Sequence, residues 1–416
     1  MTSELLDEKA AAKSIESPTI DLSLYKEITD DAAKLLGSAK EFNLSSLQIN
    51  ALAGLLDDCS QLNSADEVFS YYPIRVLNLS GLSNLTPIAA RNLARNKGYL
   101  SLDGLSGMSN AVAAELSKQG GFLSLDGMPE IELDTVENLA NHRGYLNLNG
   151  LRNLTDGVSK YLGTYRGGYL SLNGLDSISD VAAANLAIFD RTVLEGCTNI
   201  YELPPEVYNS FTGDLYLNGL AQISDTAIKS LSRIWKRLQI NGLSELSELQ
   251  ALHLSQHTGA LYLNGIHSLS DKAAENLSLH KGAALFLNGI IDLSEASASS
   301  LGDYKGSHLY LNGIKTLSDN SAALLFKYKG WEIHLNGLEF LSEDTAEKLK
   351  ENESYRIYMN GLTVISDGVS TKITKYKGHL DLNGVVSLSE KSAKRLAAHK
   401  GGLSMKGLQD PLILKD

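Results

Sequence analysis

Chemistry in a chain begins with acids, imidazoles, thiols and hydroxyls at workable spacing. Carboxylates are plentiful, 49 Asp and Glu in all, some adjacent as at Glu343-Asp344. Two facing carboxylates could do acid–base work on a glycosidic bond. Here the acids follow Ser or Thr at one recurring place, where an acid favours a helix start, so no catalytic pair stands out. The His residues recur too: His142, His257, His280 and His399 occupy one repeated position, which marks them as structural. Cys59 and Cys197 lie roughly 30 Å apart at about 4.8 Å per stacked strand, beyond disulfide reach, and read as ordinary thiols. The sequence has no phosphate-cradling Gly-rich loop ending in Lys-Ser/Thr, no His-Glu-x-x-His and no Gly-x-Ser-x-Gly. No catalytic residue, cofactor or metal site is expected.

The remaining regular signal is aromatic. Tyr99, Phe122, Tyr145 and Tyr169 recur at the start of a short strand; Tyr216, Tyr262, Phe286, Tyr310, His334 and Tyr358 recur at its middle. All ten point away from the strand's inner leucines, as candidate binding residues of one ring track. Rings anchor protein interfaces and stack on sugars. They also favour strands and stack on like neighbours, and a repeat grown by duplication copies one Tyr without selection for binding. Both readings stand on sequence.

What positions the rings is a repeat. The string Leu-x-Leu-Asn-Gly-Leu places its glycine at Gly81, Gly104, Gly127, Gly150, Gly174, Gly196, Gly219, Gly242, Gly265, Gly289, Gly313, Gly337, Gly361, Gly384 and Gly407, in steps of 22 to 24 residues. A length of 416 residues would suggest two or three domains, but about fifteen units of one stack describe it better. In one unit, Leu261-Tyr262-Leu263 alternates as a strand with leucines inward. Asn264-Gly265 turns the chain out of a parallel strand. Ser270-Asp271 starts a helix, Ala274 and Leu277 form its inner face, and His280-Lys281-Gly282 reads as its capped end. The Asn before each glycine (Asn149, Asn173, Asn241, Asn288, Asn312 and others) reads as local turn chemistry. The 36 glycines are expected chiefly in two turns per coil with permissive backbone angles.

The pattern Leu-x-Leu-x-Gly-Leu-x-x-Leu-Ser-Asp-x-x-Ala-x-x-Leu resembles the leucine-rich repeat, nearest its cysteine-containing subclass and bacterial-type arrays. One unit keeps the subclass cysteine, Leu194-Glu195-Gly196-Cys197-Thr198-Asn199-Ile200, and continues Glu202-Leu203-Pro204-Pro205 like the Leu-Pro variant. Elsewhere the position holds Leu, Ile, Met or Val, a departure that removes the family's usual asparagine or cysteine ladder. The resemblance covers 76–408. It implies an α/β fold: a right-handed solenoid, horseshoe or arc, with a parallel sheet on the concave face and short helices on the convex face. It further implies a non-enzymatic scaffold that binds another protein through the concave face, with a glycan or cell-surface ligand as the alternative.

Around this array, 1–19 reads as an acidic disordered tail, 20–75 as degenerate capping repeats with an insertion rich in helix formers from Ile49 to Leu56, 191–213 as an irregular unit, and 409–416 as a C-terminal tail. The balance of 37 basic and 49 acidic residues gives a net charge of −12. With no basic stripe in the sequence, neither nucleic acid nor an anionic membrane is an expected partner. The start, Met1 to Glu8, has no basic n-region or apolar core, and no run approaches the roughly 18 apolar residues of a membrane span. The expected location is cytoplasmic, with export by a route that needs no signal peptide left open.

Overall fold

The computed structural model describes residues 5–14, 19–38, 76–187 and 213–408, in two compact units, Met1–Gly219 and Leu220–Asp416. In the first unit the sheet runs Thr19–Asp21, Val76–Asn78, Tyr99–Ser101, Phe122–Ser124, Tyr145–Asn147, Tyr169–Ser171, Asp214–Tyr216, every neighbour parallel. Leu77, Leu100, Leu123, Leu146, Leu170 and Leu215 are register partners in one buried row. Short helices, Pro87–Leu93, Asn110–Leu116, Leu133–Leu139, Asp156–Leu162 and Asp180–Leu186, alternate with the strands and pack on one another.

The second unit repeats the scheme. Its strands are Leu238–Gln239, Leu261–Tyr262, Ala284–Phe286, His308–Tyr310, Glu332–His334, Arg356–Tyr358, His379–Asp381 and Leu403–Ser404, again parallel and in register. Its helices include Asp271–Ser278, Glu295–Gly302, Asp319–Leu325, Asp367–Ile373 and Glu390–Ala397. Each unit is an α/β solenoid of leucine-rich-repeat type. The inner strand leucines, such as Leu309 and Leu311, are fully buried; each contributes about 1.5–3 kcal/mol relative to exposure. No coil could form such a core alone, so the stack forms as a whole.

The helix starts follow the expected chemistry and add a second bond. Ser318 accepts the backbone N–H of Ser321, and the pattern recurs at Thr155, Ser179, Ser224, Ser270, Ser294, Ser342, Ser366 and Ser389. The helix at Leu133 is an exception: Glu132 stands at its cap without a side-chain bond. The cap hydroxyl also donates backwards, Ser342 to Asp319 at 2.6 Å and Ser179 to Asp156 at 2.8 Å. Hydrogen bonds from Ser342 and Thr345 hold the Asp319 carboxyl below its usual range. The repeated acids therefore join successive coils.

The asparagine before each glycine corrects the local-turn expectation. Its side-chain oxygen accepts the backbone N–H of the equivalent residue one coil on: Asn264 to Asn241 at 2.8 Å, Asn312 to Asn288 at 3.1 Å, Asn336 to Asn312 at 2.9 Å, Asn383 to Asn360 at 2.7 Å. In the first unit Asp103 and Asp126 serve the same ladder, at 2.9 and 2.8 Å. The turn position thus carries a side-chain ladder from coil to coil.

The glycine reading is corrected as well. A Cβ at Gly313 would fall on the carbonyl oxygens of Asn288 and Ile290 in the preceding coil. Close approach of stacked backbones, rather than a left-handed backbone, excludes a side chain there. The expected glycine helix caps also give way: the helix starting at Asp271 ends at Ser278 with Leu279 as its cap, short of Gly282.

Two boundaries change. Leu5–Leu6, expected in a disordered tail, pairs with Glu27–Ile28, and the helix Glu8–Ser14 packs on Asp30–Ser38. Tyr169–Ser171 pairs directly with Asp214–Tyr216, 45 residues on. The Gly196 unit's Arg191, Val193 and Cys197, with Cys59, Ile49 to Leu56 and 409–416, lie outside the described residues.

Candidate functional site

Each strand has two positions that alternate with its inner leucine, and the ten rings stand at them. In the first unit Tyr99, Phe122, Tyr145 and Tyr169 are partners at the strand start. Ring centroids are 6.1, 4.2 and 5.5 Å apart along this row. Tyr169 then meets Tyr216, a mid-strand ring, at 4.3 Å. Phe122, Tyr145 and Tyr216 are buried, and Tyr99 and Tyr169 half-buried. Burial pushes the Tyr99 hydroxyl up to about 12. Ser101 and Ser124 hold the mid-strand position here, buried, and donate to Asp103 at 2.7 and 2.6 Å.

In the second unit the rings sit at mid-strand. Tyr262, Phe286, Tyr310, His334 and Tyr358 form a pile with centroid separations of 3.7, 4.0, 3.9 and 4.0 Å and interplanar angles of 8° to 15°. Arg237 lies 5.5 Å from the Tyr262 ring and Arg356 4.7 Å from the Tyr358 ring. The inner faces of the pile are therefore occupied by neighbouring rings, and each end carries a guanidinium. His334 is buried; the four other rings are half-buried, like Tyr99 and Tyr169, and present mainly edges.

Charged residues flank the pile at the strand starts. Glu332 accepts the Tyr358 hydroxyl at 3.1 Å and lies 3.2 Å from His334 Nε2 and 3.8 Å from His308 Nε2. Arg356 donates to Asp381, and His379 Nε2 lies 3.5 Å from the same carboxylate. Burial pushes His334 down to about 4, against the raising effect of Glu332, so the imidazole is neutral near pH 7. No group of three His, Cys, Asp or Glu among the described residues could hold a metal.

The four recurring His residues are placed at the corner between helix and strand. At that corner Tyr304, Tyr328 and Tyr376 donate to the carbonyls of Gly282, Gly306 and Ser354 at 2.7, 2.9 and 2.6 Å. Gln119 donates there to Asn96 and Gly98 at 3.0 and 3.1 Å. His399 lies 3.0 Å from the Gly378 carbonyl, and His142 lies 3.3 Å from that of Tyr145. Among the described residues, the nitrogens of His257 and His280 make no hydrogen bond of good geometry, although backbone carbonyls lie near both rings.

Sequence reasoning missed two features. One is an exposed aromatic pair, Trp331 and Tyr355, stacked at 4.4 Å at the sheet's edge. Its signal was available: both stand where a 24-residue step adds one residue before the strand. The other corrects the expectation of no basic stripe. Lys281, Lys305, Lys329, Lys377 and Lys400 occupy equivalent corner positions and are all exposed. They are 23 or 24 residues apart or a multiple of that, so no local sequence window groups them.

No protein-family model matches the sequence and no curated protein sequence matches it. Solved structures resemble it at low identity. A chain of the Toll–Spatzle complex of Drosophila is 12% identical with a TM-score of 0.43, over 72% of this chain and 42% of that one. An internalin from Listeria monocytogenes is 14% identical with a TM-score of 0.39, over 77% of this chain and 88% of its own. The yeast Rad7–Elc1 complex gives 15% identity and a TM-score of 0.41, over 88% of this chain and 99% of that one.

Proposed function

We propose that the chain is a non-enzymatic scaffold that binds another protein through the open sheet face of its second unit. The observation that carries this reading is the pile from Tyr262 to Tyr358, stacked in one continuous column with four of its five rings only half-buried and each held in place by its neighbours. Rings fixed before binding lose little conformational entropy on association, and the Glu332 and Arg356–Asp381 groups beside them supply oriented polar contacts. The leucine-rich-repeat fold commonly presents such a face to proteins. Toll–Spatzle and Rad7–Elc1 are complexes in which structurally similar chains meet a partner.

The same geometry weighs against the glycan alternative. A sugar packs on a bare ring face, and in this pile the faces lie against other rings and two arginines. No helix among the described residues is long and apolar enough to cross a membrane. The test is the triple variant Tyr262→Leu, Tyr310→Leu, Tyr358→Leu, which keeps apolar bulk on the sheet. Loss of protein partners from the folded variant supports the reading. An unchanged set of partners contradicts it, and ring-dependent binding on a glycan array favours the alternative.

A further inference from the structure

The strand starts of the second unit carry a length irregularity. Four consecutive steps, from Gly265 to Gly361, are 24 residues long. The extra residue stands directly before the strand: Ala283, Ser307, Trp331 and Tyr355. Its backbone joins the sheet ladder. Glu332 donates to the Ser307 carbonyl at 2.9 Å, Arg356 to that of Trp331 at 3.0 Å and His379 to that of Tyr355 at 2.8 Å. The 23-residue coils make the same bond through the residue before the strand, Phe122 to Gly98 at 3.1 Å and Tyr145 to Gly121 at 2.9 Å, so what changes in the longer coils is the side chain carried at that place. Two coils use it for large rings, with Trp331 54% and Tyr355 55% exposed. Stacking at 4.4 Å covers one face of each and leaves the rest in water. Contiguous exposed aromatic surface is uncommon on a protein without a partner for it.

A cationic rim borders this pair. Lys281, Lys305, Lys329, Lys377 and Lys400 stand at the corner, with Glu353 as the single acid in the column. Glu353 is engaged by Lys329 at 3.1 Å, while Lys305, Lys377 and Lys400 carry no ion pair among the described residues. The unit's repeated acids stand at the opposite ends of its helices, where Asp319 and Asp367 receive hydroxyls of the next coil. In a chain of net charge −12, the second unit therefore keeps a positive edge, with aromatic anchors in it.

We propose that this edge docks an acidic peptide segment of a partner protein, with an apolar or aromatic side chain seated on Trp331 and Tyr355 and carboxylates paired with Lys305, Lys329 and Lys377. From Lys305 to Lys377 is three strand steps, roughly 14 Å, the length of about four extended residues. Charge complementarity selects an anionic partner. A short acidic segment stays within a Debye length of the lysines, whereas the net negative charge of the chain repels a long polyanion. The rings close on each other instead of standing apart to receive bases, which favours a peptide over single-stranded nucleic acid. The edge is a different surface from the ring pile, and the inference does not depend on the pile's role.

The experiment uses the full chain and a short fluorescent probe peptide of alternating Glu and Asp around a central Phe-Leu. Anisotropy is expected to show binding that weakens steeply with salt and at least about tenfold in Trp331→Ala/Tyr355→Ala. Lys305→Gln/Lys329→Gln/Lys377→Gln is expected to weaken binding and flatten the salt dependence. Tyr262→Leu/Tyr310→Leu/Tyr358→Leu leaves it unchanged, which separates this surface from the sheet face. The proposal is overturned by absence of binding to the acidic probe, by equal binding of its Lys/Arg counterpart, or by an edge variant that binds as the parent does. Tighter, edge-dependent binding of an oligothymidine than of the peptide overturns the peptide assignment in favour of nucleic acid.

Discussion

The ring of Tyr169, at the start of one strand, packs 4.3 Å from the ring of Tyr216, at the middle of the next. The aromatic row changes column at this contact without breaking. A row kept continuous through a change of position is a packing device in the first unit, where Phe122, Tyr145 and Tyr216 are buried. Tyr216→Ala is expected to lower stability by about 3–5 kcal/mol, the range for deleting a buried ring. The half-buried Tyr99→Ala is expected to lose less than half as much. Urea unfolding of the two variants decides this, and equal small losses would count against a packing role.

The asparagine ladder predicts an asymmetry between two substitutions at one position. Asn312→Ala removes the oxygen that accepts the Asn336 N–H. An unsatisfied buried donor costs about 1–3 kcal/mol. Asn312→Asp keeps an acceptor, as Asp103 and Asp126 do in the first unit, and is expected to retain most of that stability. Equal losses in chemical denaturation would contradict the ladder.

Glycines divide by what a side chain would meet. Gly313→Ala places a methyl on the carbonyl oxygens of Asn288 and Ile290, whereas Gly107 has nothing within 4 Å of its Cβ position. The first substitution is expected to destabilise by roughly 3 kcal/mol or more, and the second to stay within about 0.5 kcal/mol. Thermal unfolding of both reads the difference directly; similar midpoints would contradict the close stacking.

Acid should weaken the second unit through its corner. The rings of His257 and His280 stack at 5.7 Å, are buried, and make no hydrogen bond of good geometry among the described residues. Burial pushes each down to about 4 from 6.5, and for His280 the neighbouring His257 adds to the effect. A depressed folded value means the unfolded chain takes up protons first. Stability is full above about pH 6.5 and falls toward pH 4, by roughly 3 kcal/mol for each ring. Gln119 already fills this corner in another coil through amide donation to carbonyls. His257→Gln/His280→Gln should therefore move the acid midpoint to lower pH by circular dichroism, and coincident midpoints would refute the mechanism.

The sequence exposed the solenoid because periodicity is a local and redundant signal: Leu309 and Leu311 point inward for the same reason in every coil. It also placed all ten rings in their two columns, since alternation along a strand fixes facing. Relations between coils were harder to read. Asn241 looked like a turn residue because its acceptor role is completed 23 residues on, at Asn264. The direct pairing of Tyr169 with Asp214 spans two repeat lengths of sequence and could not be read from the phase of the motifs. Trp331 and Tyr355 were hidden in a one-residue change of step.

The central claim is that a protein partner meets the sheet face at the ring pile. Replacing Tyr310, and separately Asn320 on the adjoining helix, with a photoreactive benzophenone residue tests it most directly. A single protein adduct from position 310, absent from position 320 and lost when Tyr262→Leu and Tyr358→Leu are added, is the result expected. No adduct at 310, or equal adducts at both positions, would contradict the claim.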